Sequence, residues 1–338
     1  MPSVDIGIDL GTANVIITMG NKGIVLDEPS VVAYNKKTNE VVAVGDEAYR
    51  MLGKTPGYIV AVKPLSDGVI SDHMMAESMI CAFIKKVTSK QLLMPRIVIC
   101  VPSGVTEVES RAVVEAARNS GSRKIYLIQE PVAALIGAGV DIDTPTGNMV
   151  VDIGGGTTDV AAVSMNGIVK SASVKVGGNK IDQAIVKHIT NAYKLLIGER
   201  TAEQIKKGIA NVYDPDGTKT MTVKGRNLLN GLPEAIVVTD MDIHRAIIEP
   251  VTDILVAIRS VLEVTPPELI GDIHTNGIYL TGGGALLGGL DKLITAETGI
   301  PCRVADEPMT CVARGTGKSF AMLDKLLDGF QSVSLYKF

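Results

Sequence analysis

Two stretches decide how this chain reads: Ile8-Asp9-Leu10-Gly11-Thr12 and Val151-Asp152-Ile153-Gly154-Gly155-Gly156-Thr157-Thr158. In each, an apolar run carries one Asp, turns on Gly and Thr, and resumes as a second apolar run. The resumption is Val15-Ile16-Ile17 in the first and Val160-Ala161-Ala162-Val163 in the second. Strand, Gly turn, strand predicts a β-hairpin used twice, with a slightly longer turn the second time. A unit repeated near the start and the middle predicts two lobes of similar topology. Coincidence between two hairpins is the competing reading, and an Asp at the same place in both weighs against it.

Each Asp lies inside an otherwise apolar strand. A buried carboxylate is costly unless it is paired or binds a cation. Mg²⁺ keeps several waters and takes one or two carboxylates together with phosphate oxygens. Asp9 and Asp152, facing each other across a cleft, would suit Mg²⁺ held through water. Either one alone could equally cap its own turn. A phosphate needs backbone N–H groups at close range, and Gly lets the chain approach without a Cβ. The turns Gly11-Thr12-Ala13-Asn14 and Gly154-Gly155-Gly156-Thr157-Thr158 meet that need, with Thr and Asn side chains as further donors.

A third cluster, Gly282-Gly283-Gly284-Ala285, follows the apolar run Gly277–Thr281. It is expected to open a helix through Leu286–Leu293, where a nucleotide could lie against the backbone. By itself it also reads as a plain strand-to-helix turn. No Walker A spacing occurs, so a P-loop enzyme is excluded. Gly315-Thr316-Gly317-Lys318-Ser319 has the wrong spacing and reads as a helix start with a close Gly contact.

Strands alternate with helical stretches, which predicts an α/β protein with mixed sheets. Ser71–Val87 places Met75, Met79, Phe83 and Val87 on one face. Thr106–Ser120 opens on a Thr106/Glu109 capping pattern, and Thr201-Ala202-Glu203-Gln204 offers another. Pro131 suits the first turn of a helix through Val132–Ile136. Asp240–Val264 is a long helix with a kink or break at Pro250. Ser30–Lys63 reads as a small β insert. Ile181–Pro250 reads as a second, largely helical insert with a hairpin from Thr218 to Val238.

The 338 residues suggest two lobes, and 46% hydrophobic with 21% charged residues is a globular composition. With 4% aromatics and no Trp, the core must be filled by Val, Ile, Leu, Ala and the 13 Met. A net charge of −4 without a basic stripe argues against nucleic acid. The four Cys lack metal spacing and read as free thiols, Cys100 as a small buried hydrophobe. The four His also lack metal spacing and are expected on helices or the surface. The N-terminus carries no secretory signal, and no apolar run reaches the roughly 20 residues that span a bilayer.

The forms Asp-x-Gly-Thr and Asp-x-Gly-Gly-Gly-Thr, with the late Gly-Gly-Gly, resemble the actin, heat-shock chaperone and sugar-kinase superfamily. Within it, the chain is similar almost end to end to the MreB/Mbl family. The matching stretches are Ile8–Asn14, Leu26–Ala33, Asp67–Ile70, Glu130–Ala134, Leu196–Glu203, Pro266–Leu269 and Leu280–Leu287. The resemblance implies an α/β, actin-like ATPase fold of two related lobes. Each lobe would be a mixed sheet flanked by helices, with a small inserted subdomain. Lobe I would take residues 1–145 and 315–338 with insert 31–65, and lobe II residues 146–314 with insert 181–249.

It also implies roles. Thr12, Ala13 and Asn14 would cradle the β- and γ-phosphates of ATP or ADP, opposite Gly154, Gly155, Gly156, Thr157 and Thr158. Asp9 and Asp152 would hold hydrated Mg²⁺. Glu130 would position the attacking water, helped by Thr157, and it lies beside a helix N-terminus that favours an anion. Glu203 and Lys206 would reach the ribose and adenine, and Gly282, Gly283, Gly284 and Ala285 the other side of the nucleotide.

The family implies slow ATP hydrolysis and antiparallel double filaments of the chain itself. These lie on the inner face of the cytoplasmic membrane, work with membrane proteins of the cell-elongation machinery, and maintain rod shape by organising cell-wall synthesis. The place of action is then cytoplasmic and peripheral. An apolar tip, Leu92-Leu93-Met94, stands between Lys85, Lys86, Lys90 and Arg96. It suits an anionic membrane surface, or packs as the chain enters Ile97–Val101. Too few residues precede Asp5 for the N-terminal amphipathic helix of some relatives. A small-molecule kinase of the same superfamily is the alternative, with Glu130 as its base. A chaperone ATPase is discounted because no peptide-binding domain follows.

Overall fold

A computed structural model describes residues 5–89 and 94–323, and the backbone of residues 330–332. The first half opens with strands β1 (Asp5–Leu10), β2 (Asn14–Met19) and β3 (Ile24–Pro29). A small module follows: β4 (Val32–Asn35), β5 (Val41–Val44), helix α1 (Asp46–Met51) and β6 (Ile59–Val62). Then come β7 (Leu65–Ser66), β8 (Val69–Ile70), α2 (His73–Thr88), β9 (Arg96–Val101), α3 (Glu107–Asn119), β10 (Lys124–Gln129) and α4 (Glu130–Gly137).

The second half repeats the opening with β11 (Asn148–Ile153), β12 (Thr158–Ser164) and β13 (Gly167–Val174). It continues through α5 (Gly178–Tyr193), β14 (Leu195–Leu196), α6 (Glu199–Ile209), β15 (Thr220–Asn227), β16 (Pro233–Thr239) and α7 (Asp240–Val264). The end is α8 (Pro267–Asn276), β17 (Ile278–Thr281), α9 (Leu290–Thr298), β18 (Cys302–Val304), α10 (Cys311–Lys318) and β19 (Phe330–Ser332).

The two main sheets share one topology. The first runs β19-β10-β9-β1-β2-β3 and the second β13-β12-β11-β17-β18. In both, an antiparallel three-strand meander is extended by two parallel strands after its first strand. The duplication expected from the two hairpins therefore extends to whole sheets. The turns do not differ in length. Leu10 pairs with Val15 and Ile153 with Thr158, so each pair encloses the same number of residues. Asp9 and Asp152 thus occupy equivalent places.

Two smaller three-stranded sheets are β5-β4-β6, with α1, and β14-β15-β16, beside α6. Helix α7 runs unbroken through Pro250, which is buried inside it. Helix α3 carries the full Thr106–Glu109 capping box. Three helix starts differ from expectation. Helix α6 begins at Glu199 behind Gly198, so Thr201 caps nothing. Gly283–Leu286 is a 3₁₀ turn, and α9 starts only after Gly289, whose φ of 76° breaks the chain direction. Gly315–Ser319 lies at the end of α10, not at its start.

The core is aliphatic, with Phe83 its one fully buried aromatic among the described residues. Met contributes less than its number suggested. Met19, Met75, Met79 and Met149 are buried, but Met74, Met94, Met165 and Met309 are exposed. All four cysteines are free and all four histidines lie on helices. Among the described residues no helix is long and apolar enough to cross a membrane.

Helices α4 and α10 wedge between the sheets. Helix α4 follows β10 of the first sheet and packs on β11 and β12 of the second. Helix α10 follows the second sheet and packs on β1, β2 and β9 of the first. Each helix thus continues one sheet and covers the other. The shared core joins Val98 and Ile128 to Val132–Ile136, Val150, Ala161, Val163 and Val312.

Glycine makes the α4–α10 approach possible. A Cβ on Gly315 would sit 1.7 Å from the Ala133 carbonyl oxygen, and one on Gly137 1.8 Å from that of Cys311. Both obstacles are backbone, so neither can swing aside. Gly315→Ala should therefore cost about 2–3 kcal/mol by prying the helices apart. Urea unfolding measures this directly, and an unchanged midpoint would contradict the wedge.

Candidate functional site

The hairpin turns meet tip to tip. A Cβ on Gly155 would lie 2.8 Å from the Cβ of Ala13, and one on Gly156 2.7 Å from Thr12 Oγ1. Gly is required here because each tip is pressed on the other. Ser30 anchors the first tip, its N–H donating to Ala13 O at 2.9 Å and its hydroxyl to Gly11 O. The second tip is held by the start of α5: the N–H groups of Gly178 and Asn179 donate to the carbonyls of Gly154 and Gly155, at 2.9 and 2.8 Å. The Asp67-Gly68 bend closes the side. Gly68 N donates to Thr12 Oγ1 at 3.1 Å, and a Cβ on Gly68 would strike Thr157.

Four acidic side chains gather behind these turns. Asp9 lies one residue before the end of β1, and its Oδ1 accepts from the Cys100 thiol at 3.2 Å. Asp152 is 5% exposed and accepts from the Thr281 hydroxyl at 2.6 Å. Asp159 pairs with Asp152 across the second hairpin and is fully buried. It accepts from Ser103 N at 2.8 Å and Ser103 Oγ at 2.7 Å. Glu130, the first residue of α4, is buried and caps nothing. None of the four has an ion-pair partner among the described residues.

Unneutralised burial raises all four pKa values. Burial pushes Asp9 up to about 6, helped by the charge of Asp27 and opposed by the Cys100 bond. Burial raises Asp152 to about 7 against its Thr281 bond, with Asp9 and Asp159 adding to the rise. Burial also raises Asp159, against the Ser103 bonds. Glu130 rises well above its ordinary value through burial first, then through Asp159, Asp152 and Asp9. The anion-favouring helix start expected for Glu130 is outweighed. Among the described residues no three His, Cys, Asp or Glu come close enough to cage a bare ion.

Several expected donors are committed elsewhere. The Asn14 amide donates to Asp27 Oδ1 at 2.8 Å. The Thr158 hydroxyl is fully buried and donates to Val176 O at 2.7 Å, so only its backbone faces the turn. Gly282 and Gly284 are explained by packing, since a Cβ on either would strike Ile153, whereas Gly283 meets nothing. Ala285 is buried at 2%. Glu203 pairs with Lys207 at 2.7 Å. Lys206 turns inward, to Asp182 at 2.9 Å and to the Gly178 carbonyl at 3.0 Å. Thr12 and Thr157 are buried at the tips. Leu92 and Leu93 lie outside the described residues, and Met94 is 64% exposed.

Asp159 and Ser103 were not singled out from sequence, and Cys100, Thr281 and the Asp67-Gly68 bend were noted without a role in the site. Asp159 had a visible signal, because it too is a carboxylate beside an apolar run, two residues after Thr157. Cys100 was read as a hydrophobe, yet its thiol is a donor.

Two sheets of one topology, wedged by exchanged helices and meeting at paired Gly turns, define an actin-like protein. The structure superimposes on the crystal structure of MreB5 of Spiroplasma citri bound to ADP with a TM-score of 0.91 and 38% identity, covering 96% of this chain and 98% of that one. The chain belongs to the MreB/Mbl family, whose sequence model matches residues 3–328. It is 52% identical over 323 residues to the cell shape-determining protein Mbl of Bacillus subtilis (strain 168), covering 95% of this chain and 97% of that protein. To the cell shape-determining protein MreB of Escherichia coli (strain K12) it is 49% identical over 330 residues, covering 96% and 95%.

The raised carboxyls make stability pH-dependent. Asp9 and Asp152 hold protons in the folded protein at pH values where the unfolded chain, titrating near 4, has lost them. The folded state binds more protons, so stability falls as pH rises through this range. With chelator and no nucleotide, unfolding free energy should drop by about 4 kcal/mol between roughly pH 5 and 8. Asp152→Asn should flatten that slope. Stability that is level or rising over this range in urea titrations would refute the buried acidic cluster.

Proposed function

We propose that this chain binds ATP and Mg²⁺ at the paired turns and hydrolyses the nucleotide slowly. The observation that carries the reading is the buried carboxylate set facing two Gly turns, with no basic side chain among the described residues to neutralise it. Such a set fits a hydrated cation, which Asp9 and Asp152 would hold through water. When bound, Mg²⁺ supplies charge neutralisation along the phosphates. The backbone N–H groups of residues 12–14 and 154–158 hold the phosphates and keep them in line. Glu130 accepts a hydrogen bond from the attacking water and turns its oxygen toward the terminal phosphate, with Thr157 beside it. Its ionised form is favoured once positive charge offsets Asp9, Asp152 and Asp159. Glu203, Lys206 and Gly283 border the ribose and base. The ADP in the Spiroplasma citri MreB5 structure supports this reading.

The lobes divide at residues 1–145 with 315–338, and 146–314, with inserts 31–65 and 181–249. The family and the cell-shape role of its relatives support a wider proposal. The chain polymerises into antiparallel double filaments on the inner face of the cytoplasmic membrane, with membrane proteins of the elongation machinery as partners. Through them it organises wall synthesis and keeps the cell rod-shaped. Leu92, Leu93 and Met94 touch the membrane, flanked by basic residues, and Met94 is already exposed.

Glu130→Gln should lower ATP turnover by about 100-fold or more while nucleotide affinity holds. Wild-type protein should pellet with ATP and turn it over without an acceptor. ADP release that requires an added small-molecule acceptor, with no pelleting, would establish the kinase instead. Changing Leu92 and Leu93 together to Ser should abolish flotation with anionic liposomes and leave ATP binding intact. Undiminished flotation would remove this loop from the membrane contact.

A further inference from the structure

The loop between β18 and α10 holds two unfavourable features side by side. Glu307 has a φ of 48°, a left-handed conformation that residues other than Gly rarely adopt. Nearby, the Arg314 Nε–H is buried with no acceptor among the described residues. One guanidinium connects the two. Arg314 Nη1 pairs with Glu307 Oε2 at 2.6 Å, and Nη2 donates to the Asp306 carbonyl at 2.5 Å. The Asp306 carbonyl also accepts from the Cys311 thiol at 3.5 Å. The loop is thus rolled over the first turn of α10 and tied there by a planar fork. The Glu307 side chain is 72% accessible, so its ion pair alone is weak. The charge-assisted bond to the Asp306 carbonyl is the firmer tie.

Strained backbone persists only where its surroundings impose it, and it gathers at ligand clamps. Here the strain aims the next carbonyl. Pro308 follows Glu307, and its oxygen accepts from Gly282 N at 2.9 Å. On the other side, the Ile153 carbonyl oxygen would lie 2.4 Å from a Cβ on Gly282. Gly282 is therefore clamped between the end of β11 and this loop. The 3₁₀ turn Gly283–Leu286 continues from it, with the open side at Gly283. Arg314 also adjoins Gly315, the residue pressed on the Ala133 carbonyl in the wedge. A chain of named contacts thus runs from the wedge through Arg314 and Pro308 to Gly282.

We propose that Arg314 is a positioning residue for the base side of the nucleotide, a role that rests on the nucleotide reading of the site. It holds Glu307 in its strained turn, and Pro308 O then fixes how the Gly282–Ala285 turn stands against the nucleotide. Arg314 acts through the loop and not by touching the ligand. The phosphate turns and the acidic cluster are held by other contacts, so the effect is confined to the base side.

The test titrates each protein with Mg²⁺-ADP and, separately, with Mg²⁺-pyrophosphate, which lacks ribose and base. Arg314→Ala should weaken ADP binding about tenfold and leave pyrophosphate binding at the wild-type value. In steady state, KM for ATP should rise by a similar factor with kcat held, the mark of lost uniform binding. Arg314→Lys keeps the charge but cannot fork to Asp306 and Glu307 together, so it should fall between. It carries the same comparison if the alanine variant does not fold. Gly takes a positive φ freely, so adding Glu307→Gly to Arg314→Ala should bring ADP binding back toward wild type. Unchanged ADP affinity in Arg314→Ala would overturn the proposal. Equal losses for ADP and pyrophosphate, or a double variant no better than the single one, would overturn it too, since both mark a general loosening of α10.

A second measurement needs no nucleotide. Hydrogen exchange at the Gly282 amide reports its bond to Pro308. Arg314→Ala should speed that exchange severalfold while the amides of β11 keep their wild-type rates. Exchange indifferent to Arg314 would also overturn the brace. Wild-type protein that binds no ADP, yet exchanges Gly282 in an Arg314-dependent way, would overturn the nucleotide reading and the base-side role together, leaving the brace itself standing.

Discussion

Four buried acidic groups with no counter-charge among the described residues are the constraint on which the rest of this structure turns. Asp9, Glu130, Asp152 and Asp159 arrive from two hairpins and a helix start, and the three Asp side chains all raise the pKa of Glu130. Left alone, the chain would relieve the repulsion by protonating them or by moving the sheets apart. Packing blocks the second route. Helices α4 and α10 interlock through glycine against backbone carbonyls, and their apolar residues join both sheets in one core. The fold therefore keeps an electrostatic conflict that a cation and a phosphate-bearing ligand would resolve. Local conflict of this kind is expected where a site is preorganised.

Much of this was legible in the sequence because the information is local. An Asp in an apolar run followed by Gly and Thr fixes a strand, a burial problem and a tight turn in a few residues. Repetition of that unit led to two sheets of one topology. The long α7 helix and the α3 capping box were legible for the same reason: their signals lie within one or two helical turns. What escaped was pairwise and distant. Asp159 becomes part of the cluster only because it pairs with Asp152 in the hairpin register. Cys100 matters because β9 lies parallel to β1 and brings a thiol to Asp9. Side-chain type also misled. Asn14 and Thr158 look like phosphate donors, yet partners invisible in the local sequence take their hydrogen bonds.

The glycines divide along the same line. Gly282 and Gly284 looked like a ligand cradle, but the end of β11 leaves no room for a Cβ at either. Gly155 and Gly156 serve packing and site at once, since the opposing turn excludes a Cβ and leaves backbone at the surface of the cleft. A Gly-rich run therefore reports close approach, and only the neighbouring chemistry says whether backbone or ligand is approached. Here the acidic cluster supplies that chemistry for the paired turns. For Gly282–Ala285 the open side at Gly283 is the part left facing free space.

The two ends of the molecule are joined with unequal strength, and this fixes how the cleft can move. At the wedge, separating α4 from α10 would expose buried aliphatic side chains and undo interlocked backbone, at a cost of several kcal/mol. At the mouth, the β module and α6 meet through a long hydrogen bond, a cation–π stack and an exposed ion pair. Such contacts contribute about 1 kcal/mol or less each. Thermal motion therefore opens the mouth long before it loosens the wedge.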